Sequence, residues 1–216
     1  VGYRHTPFFN LVDALAYKGC PICILVGRAV RRYLQASLYE FVNDPGLQEA
    51  LLRSGGLCVR HADLLRSFGD GLGAVLLHKT LAQSLADHGV SRRHGSRNAE
   101  CPACLQAKEA LECYGSTFMD HLDEPELQDY LRVEPRLCAR CWLWVVERAK
   151  TRSARAQLQA CFRAAAERQL RNIERYAETA NATVSTGHEN LDESWKRCLA
   201  FFSPLDELDS ERGALL

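Results

Sequence analysis

Strand signals are nearly absent from this chain. Nothing alternates polar and apolar for long, and no Asn-Gly or Asp-Gly pair sits between two such runs. No stretch of 18 apolar residues occurs, which excludes a transmembrane helix of ordinary length. Net charge is also missing: 27 basic residues balance 27 acidic ones, so the broad electrostatic footprint of a nucleic-acid binder is not expected. Lysine is scarce, being confined to Lys18, Lys79, Lys108, Lys150 and Lys196, and arginine carries most of the positive charge, as in proteins of GC-rich genomes. The segment from Val1 to Asn10 lacks the basic-then-apolar layout of a signal peptide, so a cytoplasmic location is expected, with no membrane partner. There is no Ser-His-Asp order, no phosphate-cradling glycine loop and no paired-carboxylate motif, which leans against an enzyme.

Cysteine, by contrast, is plentiful. Ten are present in 216 residues, and eight of the metal-capable side chains fall into four short pairs. The pairs are Cys20-Pro21-Ile22-Cys23, Cys58-Val59-Arg60-His61, Cys101-Pro102-Ala103-Cys104 and Cys138-Ala139-Arg140-Cys141. Paired C-x-x-C spacing without an export signal favours metal binding in a reducing compartment over disulfides.

From Cys23 to Cys58 is 35 positions, and from Cys104 to Cys138 is 34. The match extends past the ligands. A shift of 80 brings Pro45 onto Pro125, Leu47 onto Leu127, Gln48 onto Gln128, Leu51 onto Leu131, Leu57 onto Leu137, Cys58 onto Cys138 and Arg60 onto Arg140. One residue of slippage then aligns Cys20 and Cys23 with Cys101 and Cys104. The pattern reads as two copies of one unit of about 80 residues. The expected organisation is a first metal-binding unit over 1–89, a linker over 90–100, a second unit over 101–180, and a C-terminal helix and tail over 181–216, together making one compact domain with a shared core.

Helical periodicity dominates. Val26, Val30, Leu34, Leu38 and Phe41 mark a helix over about 21–43. Asn43-Asp44-Pro45 reads as a cap with proline in the first turn of a short helix that stops at Gly55-Gly56. Cys58 and His61 open a further helix to about Asp87, with a break expected near Gly69, Gly71 and Gly73. The second copy repeats this plan: a helix over about Pro102–His121, a turn at Asp123-Glu124-Pro125, a short helix to Arg132, and one long helix from Cys138 to about Ala180. Asn181–Glu189 reads as a polar loop, Leu191–Phe202 as a last helix, and the acidic stretch from Asp206 as a disordered tail. The fold class is all-α.

Each pair sits where a helix begins. Proline after the first cysteine suits a first helical turn. Free backbone N–H groups and the positive dipole end there stabilise thiolate. The expected assignment is one ion per copy: Cys20, Cys23, Cys58 and His61 hold the first, and Cys101, Cys104, Cys138 and Cys141 the second. Four protein ligands close the tetrahedron of a structural zinc and leave no position for a reacting water. An Fe–S cluster is the alternative, mainly for the all-cysteine set. Dithiol exchange, which also uses C-P-x-C at a helix start, normally follows a strand, and none is expected here.

Other residues have blander readings. Cys113, Cys161 and Cys198 read as inert helix thiols. His121 lies far along its helix from Cys104 to be a ligand, and His5, His78, His88, His94 and His188 share no ligand spacing. Trp142 and Trp144 read as core, Arg60 and Arg140 as exposed first-turn arginines, and Arg92–Arg97 as a solvated linker.

The elements His5-Thr6-Pro7-Phe8-Phe9, Gly19-Cys20-Pro21-Ile22-Cys23 and Gly56-Leu57-Cys58-Val59-Arg60-His61 resemble an uncharacterised bacterial family of helical C-P-x-C and C-x-x-H modules. Cys141 departs from the C-x-x-H ending that the resemblance implies. No activity follows from it. The reading is therefore a zinc-binding helical protein with two structural sites, a non-enzymatic adaptor for a protein partner. The alternative is a thiol-based or Fe–S redox or metal sensor.

Overall fold

A computed structural model describes residues 5–89, 100–186 and 199–202, with side chains described to residue 179 in the second span. Among the described residues there are nine named helices and no strand: α1 (Thr6–Ala14), α2 (Pro21–Tyr39), α3 (Pro45–Ser54), α4 (Val59–Ser67), α5 (Gly71–His88), α6 (Pro102–Asp120), α7 (Pro125–Val133), α8 (Ala139–Glu147) and α9 (Arg152–Thr186). Residues 199–202 are also helical. The linker residues from Val90 to Ala99, the tail from Asp206, and Cys198, His94 and His188 lie outside the described residues.

Local chemistry accounts for most of the boundaries. Asp44 caps α3 by accepting a 2.8 Å hydrogen bond from the Leu47 N–H, with proline in the first turn. At the other end Gly55 takes φ 73°, the left-handed conformation in which a helix commonly terminates. The expected break after α4 is present: Gly69 has φ 76°, and Asp70 restarts the chain as the cap of α5 by accepting from the Gly73 N–H at 2.9 Å.

Two elements differ from the sequence expectation, and a third, at the start, carried none. The segment before Ala16 forms α1, which enters at Pro7 and buries Phe8, Leu11 and Ala14. The long helix expected from Cys138 is divided at Arg148–Thr151, where Thr151 accepts a 3.1 Å hydrogen bond from the Ala154 N–H and so caps α9. The stretch 181–186, read as a loop from its polarity, continues α9 instead. Polarity alone does not end a helix; a breaker or a cap does.

The same local hydrogen bonds recur eighty residues apart. Gln48 Nε2 donates to the Val42 carbonyl and Gln128 Nε2 to the Leu122 carbonyl, both at 2.7 Å. Ser37 and Thr117 donate to the carbonyls of Tyr33 and Cys113, both at 2.8 Å.

The chain forms two compact units, and they do not follow the two sequence copies. Val26–Leu111 makes one; the described residues up to Leu25 and from Glu112 make the other. The division falls inside α2 and inside α6 rather than at the linker. In the Val26–Leu111 unit, α5 packs on α3 and α4, burying Leu51, Leu64, Leu77 and Leu81. In the other, α8 packs on α9, and Phe8, Phe118, Leu127, Trp142 and Leu158 are buried.

Gly115 on α6 marks a tight approach in that second core. A Cβ there would lie 2.4 Å from Cζ3 of Trp144. The Trp144 ring is in turn covered by Arg148, whose guanidinium carbon sits 4.4 Å from the ring centroid. Gly115→Ala should cost about 1–2 kcal/mol through this overpacking. Urea unfolding checks it, and an unchanged midpoint and slope would show that the indole swings aside freely.

Candidate metal centres

Each ligand pair sits where the sequence placed it, at a helix start. Cys58 and Cys138 are the N-cap residues of α4 and α8. Cys20 and Cys101 immediately precede α2 and α6, and their carbonyls accept from the N–H groups of Ile24 (3.0 Å) and Leu105 (3.1 Å). A C-x-x-C/H pair at such a start puts its second ligand on the first helical turn, facing the same side as the first.

The structure brings all eight residues into two clusters, but the pairing is crossed. Cys20 and Cys23 converge with Cys138 and Cys141; Cys58 and His61 converge with Cys101 and Cys104. In each cluster the ligand atoms lie within 4.8 Å of one another. The one-ion-per-copy assignment is therefore corrected. Each C-P-x-C pair meets the downstream pair of the other copy, giving one four-cysteine set and one of three cysteines and a histidine.

The spacing fits a tetrahedral ion. Zinc–sulfur bonds of about 2.3 Å put two sulfurs about 3.8 Å apart, and a sulfur and an imidazole nitrogen about 3.6 Å apart. Cys23 Sγ lies 3.6 Å from Cys138 Sγ and 3.5 Å from Cys141 Sγ. Cys58 Sγ lies 3.7 Å from Cys104 Sγ. His61 Nδ1 lies 3.2, 3.6 and 3.4 Å from the sulfurs of Cys58, Cys101 and Cys104. These separations far exceed a disulfide bond of about 2.05 Å, and all eight thiol and imidazole groups remain available as ligands.

Protons are divided unequally within each cluster. Hydrogen bonds from Cys141, Cys20 and Cys23 drive the Cys138 thiol down, towards thiolate. The Cys141 and Cys23 thiols, each bonded first to Cys138, are held up. In the second cluster burial opposes ionisation of Cys101, but hydrogen bonds from His61 and from the backbone at Cys58, Cys104 and Ala103 outweigh it and lower the thiol to about 6. Cys104 is pushed up to about 12 by burial and by the neighbouring Cys101 and Cys58. A cation must displace protons from thiols such as Cys104, Cys141 and Cys23, which are held up.

One residue that the motifs did not flag helps set the first cluster. Arg136 donates to the Tyr17 carbonyl at 3.1 Å and to the Leu15 carbonyl, while its own N–H donates to Tyr130 Oη at 2.6 Å. It thereby ties the segment leading to Cys20 to the segment leading to Cys138. No sequence signal marks an arginine in a connecting loop for this role.

The other candidates stay outside both clusters. His121 is buried against Phe8, with ring centroids 4.4 Å apart. His5, His78 and His88 belong to neither cluster. Trp142 is buried core, Cys113 is exposed and Cys161 is half-buried on α9. Arg60 and Arg140 are both exposed.

Cys20→Ser should lose about one metal ion per chain and keep the Cys58, His61, Cys101, Cys104 site filled, as read by elemental analysis; full metal content would remove Cys20 from the ligand set. Cys113→Ser should leave metal content unchanged. Affinity should fall as pH falls, because each recruited thiol must lose a proton. At the His61 site the fall should steepen by about one proton below pH 6, where Cys101 also becomes protonated. Competition with a chromogenic chelator across pH 5–8 measures it, and a slope that stays constant through pH 6 contradicts the thiolate assignment.

The chain is similar to an uncharacterized 23.9 kDa protein in the xynA 3′ region of Caldicellulosiruptor sp. (strain Rt8B.4): the two are 26% identical over 165 residues, covering 74% of this chain and 81% of that protein. No family model matches the chain. No solved structure matches it.

Proposed function

We propose that this chain is a zinc-binding adaptor: two structural zinc ions hold its helices, and the helical surface recognises a protein partner. The observation that carries the reading is the closure of both clusters. Four sulfur or imidazole ligands at tetrahedral spacing fill the coordination shell of zinc and leave no place for a water to be activated, which is the mark of a structural rather than a catalytic site. The two copies then act as one scaffold. Free thiols throughout the described residues suit a reducing compartment such as the cytoplasm.

The partner reading is supported by α5. Its inner face buries Gly73, Leu77 and Leu81, yet its outer face exposes Leu72 by 72% and Val75 by 69%, with Leu76 and Leu85 also open. Neighbouring apolar side chains left in water on one helix are the usual sign of a surface that another protein covers. A balanced net charge disfavours nucleic acid as that partner.

The first test is metal content and absorbance of anaerobically purified protein. About two zinc ions per chain in a colourless solution is the expected result. Iron with broad visible absorbance would replace zinc by an Fe–S cluster and make redox sensing the function. For the partner surface, Leu72→Ser with Val75→Ser should abolish capture of a partner that the native chain retains, at unchanged metal content and melting temperature; capture equal to native would remove α5 from the interface.

A further inference from the structure

The crossed pairing has a consequence for assembly. Residues up to 89 supply Cys20 and Cys23 to one cluster and Cys58 and His61 to the other. Residues from 100 onward supply Cys138 and Cys141 to the first and Cys101 and Cys104 to the second. Neither half contains four ligands of any one cluster. Each half instead extends a C-P-x-C arm into the unit that holds the other half's body: residues up to Leu25 belong with Glu112 and beyond, and residues 100–111 belong with Val26 and beyond. This is the arrangement of a domain-swapped pair, with the two partners joined in one chain.

Contacts around the first arm extend the exchange beyond the ligands. Phe8 of the first half packs on His121 of the second at 4.4 Å. Arg136 of the second half is bound to the Leu15 and Tyr17 carbonyls of the first. Around the second arm, Cys101 and Cys104 reach His61 Nδ1 at 3.6 and 3.4 Å.

We propose that the halves 1–89 and 100–216 are mutually completing partners whose association is metal-dependent: each ion is bound jointly by both halves, and neither half binds an ion with four ligands by itself. This rests on the zinc reading above and goes past it. The ions are then the bond between the halves, and metal supply decides whether they stay together once the covalent link is removed.

The test uses the full metal-loaded chain with a specific protease site inserted after Ser96. After complete cleavage, the two fragments should leave a sizing column as one peak that carries the metal, and chelator should weaken their association at least about 100-fold, since each half then loses two shared ions. Separate fragments that each retain an ion would overturn the proposal, because that is what pairing within each copy gives. Fragments that stay together equally well in chelator would overturn its metal dependence. An uncut chain that binds no metal is a different failure, that of the zinc reading itself. A second measurement needs no cleavage. In Cys20→Ser/Cys23→Ser chains, alkylation of Cys138 and Cys141 should accelerate at least about tenfold while Cys58, Cys101 and Cys104 stay slow. Acceleration at Cys58 with Cys138 still protected overturns the crossed assignment.

Discussion

Four sulfur or nitrogen ligands must share a space less than 5 Å across, and that requirement organises this protein. Four thiolates cannot occupy such a space alone, since their mutual repulsion in a partly buried site is far larger than in water. Protons relieve it in part, as in the division between Cys138, driven down, and Cys141 and Cys23, held up. A divalent cation would offset more of it and add four bonds. The helix starts contribute as well: Cys58 and Cys138 sit as N-caps, where the dipole and free N–H groups favour negative charge. The starts of α2 and α8 converge on one cluster, and those of α4 and α6 on the other.

Chain entropy might be expected to favour ligand pairs close in sequence. The preference is small. Closing the 115-residue span from Cys23 to Cys138, instead of the 35-residue span to Cys58, costs about 1 kcal/mol more, because closure entropy grows only with the logarithm of length. An ion with four ligands easily exceeds that. Sequence separation therefore does not select between the two pairings.

This explains what could be read in the sequence. The ligand types, their C-x-x-C and C-x-x-H spacing and their location at helix starts are local properties, and so are the cap at Asp44 and the glycine ends of α3 and α4. All of these were legible. The partition of ligands between the two clusters was not, because both the parallel and the crossed pairings use the same four motifs and the same intervals. The break before α9 was hidden for a different reason. Its cap, Thr151, lies within a stretch whose apolar spacing continues on both sides, so periodicity bridged a gap that a single hydroxyl creates.

The two units are chemically unequal despite their common pattern. At position 141 a cysteine stands where the first copy has His61, so one cluster carries four thiols and the other three. A zinc ion with four thiolates bears a formal charge of minus two, against minus one with three thiolates and an imidazole. The loops before the second ligand pairs differ as well: Arg136, in the same unit as Cys138 and Cys141, is held by the Leu15 and Tyr17 carbonyls, whereas the position eighty residues earlier is Gly56. The crossed pairing spreads the charge difference over both halves, because each contributes two ligands to the four-cysteine cluster and two to the other.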